Sequence, residues 1–207
     1  MNRALKGILI FLGIILFLFG GFYLFLHIAF EGIFTGPTYY KKDLIENYEA
    51  RTAEIFDVKN YYKSILPDGA SVSIEFDNDK ELGIFHVKAD SIYQSNWNLK
   101  IKSPKVDSLL NELNWTTEEL RILKEKLDKA NCISIAGKDP IVIGWQRSGM
   151  GMFSYNIFDS NLEKDKIEDY NDGCTYFFYK DNIVLEYGGG AIGPQCFPDF
   201  YRNEGEE

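Results

Sequence analysis

The chain has 207 residues and a formal net charge of −9 at pH 7, with 31 Asp and Glu residues against 22 Lys and Arg residues. All the acidic residues follow position 30, whereas Arg3 and Lys6 precede it, so residues 31–207 carry 20 basic and 31 acidic residues, a formal charge of −11. A surface this acidic repels the phosphates of DNA and RNA, so we expect no nucleic acid as a partner.

An uncharged run rich in Leu, Ile and Phe occupies residues 7–30. A helix of this length spans about 36 Å, which exceeds the hydrocarbon thickness of a bilayer, about 30 Å. A cleaved signal peptide is the competing interpretation, but the run is longer than a typical apolar h-region and lacks small residues at the cleavage positions. The sequence therefore predicts an uncleaved transmembrane signal-anchor at residues 7–30, with the lipid bilayer as its partner.

The charges around this segment predict its orientation. Arg3 and Lys6 precede the apolar run, and the first residue after it is Glu31. By the positive-inside rule, residues 1–6 form a short cytoplasmic tail and residues 38–202 form an extracytoplasmic domain. Gly13 and Gly20 lie on nearly the same helix face, which is compatible with a homodimer. The acidic residues 203–207 are predicted to be a disordered tail.

Helical periodicity dominates the first part of the domain. Apolar residues recur at helical spacing over residues 40–66, which predicts one long amphipathic helix. A short helix is predicted at residues 107–113. A further helix is predicted to start at Thr116, where Thr116 and Glu119 have the spacing of a capping box. Residues 160–170 fit either a short helix or an exposed loop.

Alternation with a period of two predicts the strands. They lie at residues 71–76, 82–87, within 91–101, and at 132–136, 141–147, 152–159, 174–179 and 183–187. Most of the last five are joined by short connections, so they are expected to be antiparallel. The predicted fold class is α+β: a single domain with an antiparallel sheet of about five strands and helices packed to one side.

Three cysteines are present, an odd number for a domain predicted to face an oxidising compartment. Cys174 opens a predicted strand, and Cys196 follows the returning strand closely enough to lie beside it. We therefore predict a disulfide between Cys174 and Cys196. Cys132 lies in an apolar strand and is expected to be a buried free thiol.

No motif in the chain is typical of a particular enzymatic reaction, so we predict no catalytic residue, no metal site and no cofactor. Residues 188–193 match the G-x-G-x-x-G pattern, but Pro194 follows where a dinucleotide site requires a helix. The acidic turn at residues 77–81 lacks the Gly and Glu that a calcium-binding EF-hand loop requires. A cysteine nucleophile would depend on His86, the only histidine after position 30.

A partner-binding surface is predicted near the hairpin that follows residue 141. Aromatic residues and arginine are enriched at protein interfaces, and glycine loops let a partner approach the backbone closely. The candidate binding residues are Trp145, Arg147, Gly149, Gly151, Gly189 and Gly190. The function expected from these features is that of a membrane-tethered, extracytoplasmic binding or accessory protein without catalytic activity. The alternative is a small envelope hydrolase that uses carboxylates not identified by any motif.

Overall fold

A computed structural model of the chain describes residues 3–30, 37–89, 92–188 and 193–199. The chain divides into two compact units, Met1–Pro37 and Thr38–Glu207. The predicted tail at residues 203–207 and the glycines Gly189 and Gly190 lie outside the described residues.

The first unit contains helix α1, Arg3–Phe30. Side chains in this helix are described at Gly7 and at residues 11–26, and nearly all of them are exposed. Within the part of the chain that the structure describes, no helix combines the length and the apolar character needed to cross a membrane. The membrane-spanning segment at residues 7–30 therefore stays a prediction.

The described residues of the second unit form one antiparallel sheet of nine strands, so the prediction of about five strands is wrong. Its strands are β1 Ser71–Phe76, β2 Glu81–Ala89, β3 Ile92–Gln94, β4 Trp97–Lys100, β5 Ser134–Gly137, β6 Ile141–Ser148, β7 Gly151–Ile157, β8 Tyr176–Lys180 and β9 Ile183–Gly188. The order is β3-β2-β1-β5-β6-β7-β9-β8, and β4 also pairs with β2.

The pairing of β1 with β5 explains the larger sheet. Ile74 of β1 lies directly opposite Ile135 of β5, and this contact joins the N-terminal hairpin to the C-terminal strands. Two helices separate these strands along the chain. A pairing over such a distance depends on the packing of the whole domain and has no signature in local periodicity.

One edge of the sheet is a broken strand. The single strand predicted within residues 91–101 is in fact two short strands, β3 and β4, which both pair with β2. Between them the carbonyl of Asn96 accepts a hydrogen bond from the Phe85 N–H at 3.0 Å. Within β4, Asn98 adopts a left-handed backbone with φ of 53°. Asn is one of the few residues that tolerates this conformation.

The opposite edge strand, β8, is blocked by side chains. Asp172 Oδ1 accepts hydrogen bonds from the N–H groups of Cys174, Thr175 and Tyr176 at 2.8–2.9 Å. Asn171 Oδ1 accepts from the Phe178 N–H at 3.2 Å. These side chains occupy donors that an edge strand would otherwise present to another chain.

The helices of the second unit lie before β1, between β4 and β5, and between β7 and β8 along the chain. They are α2 Lys41–Ala50, α3 Thr52–Ile65, α4 Pro104–Glu112, α5 Thr117–Lys129 and α6 Lys164–Asp169. The single helix predicted over residues 40–66 is broken at Arg51, whose φ of −136° and ψ of 27° leave the helical region. The predicted capping box is confirmed, because Glu119 N–H donates to Thr116 Oγ1 at 3.1 Å while Thr116 N–H donates to a Glu119 carboxylate oxygen at 2.6 Å.

The hydrophobic core lies on one face of the sheet. Ile74, Ile135, Ile143, Tyr155 and Leu185 are opposed pair by pair across five strands, and all are fully buried. The buried apolar side chains of α2 to α5 belong to the same cluster. These helices therefore pack on this face and not on the other face of the sheet, called the open face below. At the β8 end of the open face, Tyr170 after α6 packs against Tyr176.

Candidate binding surface on the open face of the sheet

A polar row crosses the open face from one edge of the sheet to the other. The directly opposed residues from β4 to β8 are Trp97, Ile84, Glu75, Ser134, Gly144, Ser154, Glu186 and Tyr176. Side chains directly opposite each other on antiparallel strands share a face of the sheet. The row is polar in the middle and has an aromatic residue at each end.

Glu75 in this row forms an ion pair with Arg147. Arg147 Nε and Nη2 donate to Glu75 Oε1 and Oε2, the second at 2.6 Å, and Arg147 Nη1 donates to the Met150 carbonyl at 3.3 Å. The Glu75 side chain is 7% exposed and the Arg147 side chain is 33% exposed. Hydrogen bonding to Glu75 raises the pKa of Arg147 above its usual value, so the guanidinium stays charged. The two-point contact fixes the orientation of both side chains.

A cleft opens beside this pair, where the β1–β2 turn meets the β6–β7 turn. Its volume is about 350 Å³. The lining residues are Glu75, Asp77, Gly83, Ile84, Trp97, Asn98, Arg147, Gly149 and Met150, and we call this feature the Trp97 cleft. Two of its residues, Asn98 and Gly149, have left-handed backbones, with φ of 53° and 58°.

The position of Asp77 in the cleft depends on Gly83. A Cβ added to Gly83 would overlap the carboxylate of Asp77, so glycine at this position leaves room for the Asp77 side chain. Asp77 itself is exposed, and its carboxylate has no hydrogen bond or ion pair among the described residues. Its charge acts on Arg147, whose pKa it helps to raise.

Two exposed aromatic residues lie at this edge of the sheet. Outside α1, Tyr93 and Trp97 are the only large hydrophobic side chains that are exposed in the described part of the chain, at 64% and 58%. Both contact the His86 ring, at centroid distances of 6.4 Å and 4.9 Å. Exposed aromatic residues that occur together on an otherwise polar surface are typical of interaction sites.

His86 holds the break between β3 and β4. Its Nδ1 accepts a hydrogen bond from the Asn96 backbone N–H at 3.1 Å, so Nδ1 is unprotonated. Ser95 Oγ also lies 3.1 Å from this nitrogen. Burial lowers the pKa of His86 below its usual value of 6.5. The imidazole is therefore neutral at pH 7 and serves here as a hydrogen-bond acceptor.

The structure separates the predicted binding residues. Arg147 and Gly149 line the Trp97 cleft, and Gly151 pairs with Ser148 at the same hairpin. Trp145 instead lies in the core, 6% exposed, with its ring centroid 4.8 Å from that of Tyr39. Gly189 and Gly190 follow Gly188, which pairs with Met152 of β7, but they lie outside the described residues.

A β-bulge is the reason that Trp145 and Arg147 do not share a surface. Positions 145 and 147 would face the same side in a regular strand, but the register of β6 shifts between Gly144 and Gln146. The extra residue reverses the alternation beyond it. Trp145 therefore points into the core, whereas Arg147 lies opposite Met152 and binds Glu75 on the open face.

Sequence reasoning assigned no binding role to Trp97, Asp77 or Asn98. The signal for Trp97 is its immediate polar context, because Asn96 and Asn98 flank it and Leu99 is the nearest apolar residue. A tryptophan in such a segment has few local partners for burial. For Asp77 the only sequence signal was the composition of the turn in which it lies. Its position near Trp97 depends on the pairing of β2 with both β1 and β4.

The free cysteine is not placed to act as a nucleophile. Cys132 is buried, and burial raises the pKa of its thiol, so the nucleophilic thiolate is disfavoured. Among the residues with described positions, no group of three His, Cys, Asp or Glu side chains is arranged to hold a metal ion.

The predicted disulfide between Cys174 and Cys196 is confirmed.

Comparison with known proteins adds no further assignment. No family model matches the chain, and neither a curated protein nor a solved structure shows significant similarity to it.

Proposed function

We propose that the protein is a membrane-tethered, extracytoplasmic binding or accessory protein that acts through contacts with another protein. The observation that carries this proposal is the exposed Trp97, beside the ordered Glu75–Arg147 pair, on a sheet face that α2 to α5 leave uncovered. Rigid aromatic side chains next to an oriented arginine supply both contact area and directional hydrogen bonding at protein interfaces.

The proposed tether rests on the sequence of residues 7–30. This run has no charged residue, and large apolar side chains of α1 such as Phe17 and Phe19 are exposed. Exposed apolar residues around a helix are costly in water, whereas lipid accommodates them. The basic residues Arg3 and Lys6 before the run favour a cytoplasmic N-terminus.

The proposed extracytoplasmic location has a second support in the disulfide. Cys174 and Cys196 form a structural disulfide in the C-terminal part of the domain. Disulfides of this kind persist in oxidising compartments and are rare where thiols are kept reduced.

Cross-linking tests the proposed surface. A photoreactive benzoylphenylalanine replaces Tyr93 in the full chain, and irradiation is carried out in native membranes. The matched control carries the same group at Ala53, an exposed position on α3, which packs on the core face of the sheet. We expect a discrete cross-linked product from position 93 that disappears in a Trp97→Ala background. Equal products from both positions, or none from position 93, would contradict the proposed surface.

Fractionation tests the tether. The full chain is expected to remain in membranes after carbonate extraction, and protease added to spheroplasts is expected to digest the domain. A chain that carbonate releases, or a domain protected from protease while outward-facing control proteins are cut, would contradict the proposed placement.

A further inference from the structure

We infer that the Trp97 cleft binds an arginine or lysine side chain presented by the partner protein. This inference rests on the proposed function and specifies the chemistry of its binding surface. It is carried by three features that line one cleft of about 350 Å³. They are the exposed ring of Trp97, the Asp77 carboxylate, which has no hydrogen bond or ion pair among the described residues, and the Glu75–Arg147 ion pair.

The ion pair in the cleft leaves one negative charge available. Glu75 and Arg147 bind each other through both carboxylate oxygens, so their charges largely offset each other. Asp77 remains, and in the described part of the chain its carboxylate has no hydrogen bond or ion pair. The cleft therefore has a net charge of −1 and a carboxylate that can accept hydrogen bonds from a cation.

Trp97 supplies the second element of a cation site. Its side chain is 58% exposed, so its ring can be contacted by a ligand. The face of an indole ring attracts ammonium and guanidinium groups, and a guanidinium plane also stacks on it. A carboxylate and an aromatic face in the same cleft are complementary to one basic side chain at two points.

The backbone of the cleft keeps these groups in place. Asn98 directly follows Trp97 and has a left-handed backbone, while the Asp77 side chain fits against Gly83. The Glu75–Arg147 pair forms a fixed part of the lining. This pair needs no reorganisation when a ligand binds, which favours affinity.

The charges in the cleft disfavour an acidic ligand. An acidic side chain would compete with Glu75 for Arg147 and would face the carboxylate of Asp77. Residues 31–207 also carry a formal charge of −11, which attracts a basic partner over distances of about a Debye length. The expected partner surface is therefore a basic segment with at least one protruding arginine or lysine.

The test uses the full chain in nonionic detergent and the emission of Trp97. Trp115 and Trp145 are buried, so quenching by acrylamide reports mainly on Trp97. The probes are acetylated hexa-arginine, its neutral analogue hexa-citrulline, and hexa-glutamate. We expect saturable protection of Trp97 by hexa-arginine only, with binding that weakens as salt is raised.

Two matched variants locate the site. Asp77 and Asp68 are exposed turn residues at opposite ends of β1. Asp77→Asn is expected to raise the dissociation constant for hexa-arginine by about fivefold or more, whereas Asp68→Asn is expected to change it by less than about twofold. Equal protection by hexa-citrulline, or equal weakening by both variants, would overturn the inference.

The outcomes separate this inference from the proposed function. If position 93 captures a partner in membranes but hexa-arginine does not protect Trp97, the proposed function stands and the basic ligand is wrong. If hexa-arginine protects Trp97 but no partner is captured, the cation site stands and the proposed surface is contradicted.

Discussion

Arg147 of β6 binds Glu75 of β1 through two parallel hydrogen bonds, although 72 residues separate them along the chain. β5 lies between their strands in the sheet, so the arginine side chain reaches across a neighbouring strand. The Glu75 carboxylate is nearly inaccessible to solvent, whereas Arg147 is partly exposed. The pair satisfies a buried charge and also forms one side of the Trp97 cleft.

Removing Arg147 is expected to destabilise the domain. Arg147→Met leaves the buried Glu75 carboxylate without its main partner. This change should lower the free energy of unfolding by about 1–3 kcal/mol. The cost is smaller than for a fully buried ion pair because the Arg147 side chain is 33% exposed. Urea unfolding followed by circular dichroism measures the change.

The surface ion pair between Arg121 and Glu118 provides the control. Both side chains are more than half exposed, so Glu118→Gln should leave the urea midpoint almost unchanged. A double-mutant cycle between positions 75 and 147 should show coupling. If the effects of Glu75→Gln and Arg147→Met simply add, the two residues do not stabilise the fold as a pair.

Stability should fall at mildly acidic pH because of His86. Its Nδ1 accepts from the Asn96 N–H, and burial lowers the pKa of the folded imidazole below 6.5. A group that is harder to protonate when folded stabilises the protein fully above the unfolded pKa. This contribution is lost as the pH falls from 6.5 through the lowered folded pKa.

A comparison with His86→Asn isolates this effect. Asn places an oxygen acceptor near the position of Nδ1 but does not titrate. The difference in unfolding free energy between the natural chain and the variant should be constant above about pH 6.5 and should shift against the natural chain below it. A difference that stays constant from about pH 5 to 8 would show that folding does not shift the pKa of His86, which would contradict this prediction.

The disulfide should contribute substantially to stability. Cys174 and Cys196 are 22 residues apart and enclose β8 and β9. Closing a loop of this length restricts the unfolded chain and is worth about 3 kcal/mol. The double variant Cys174→Ala, Cys196→Ala should lose this amount in urea unfolding, and a reducing agent should destabilise the natural chain but not the variant.

Thiol counting checks the same bond independently. Cys132 is buried, so no thiol should react rapidly with an alkylating reagent in the folded protein. In urea without a reducing agent, Cys132 alone should be alkylated. Alkylation of Cys174 or Cys196 under these conditions would contradict the disulfide.

Trp145 and Tyr155 should respond differently to the loss of one polar group. The Trp145 Nε1 has no hydrogen-bond partner in the described part of the chain, although it is buried. Tyr155 Oη donates to the Leu44 carbonyl at 2.9 Å and accepts from Asn47 Nδ2 at 3.0 Å. Trp145→Phe breaks no hydrogen bond among the described residues, so its cost should come only from the lost ring volume and stay below about 3–5 kcal/mol, the cost expected for truncation to Ala. Tyr155→Phe removes a hydroxyl with two hydrogen bonds and should cost about 1–3 kcal/mol.

Trp145→Ala serves as the control for packing. It removes the ring that contacts Tyr39 and Phe153, and it should cost about 3–5 kcal/mol. If Trp145→Phe is as damaging as Trp145→Ala, the indole N–H has a partner that the described residues do not include.

Local sequence patterns predicted the elements that depend on near neighbours. The capping box of Thr116 and Glu119 acts over three residues, and the alternation of β6, β7 and β9 follows from the two faces of each strand. The long helix over residues 40–66 was predicted in the correct region, but its break at Arg51 has no Pro or Gly to mark it.

The candidate site was only partly predictable. The sequence singled out Arg147 and Gly149, which line the Trp97 cleft, but it grouped them with Trp145. The bulge after Gly144 reverses the alternation and sends Trp145 into the core. No local preference distinguishes this register from a regular one, because the energy that selects it comes from packing against Tyr39 and Phe153.

The sequence alone determined the α+β class and the acidic surface, since composition and short-range periodicity suffice for these features. It suggested the pairing of Cys174 with Cys196, which the structure then established. The tertiary structure decided that β1 pairs with β5, that Glu75 binds Arg147, and that Trp97 borders their cleft. These contacts join residues far apart in the chain. They form only when burial of the common core offsets the entropy of closing the intervening loops.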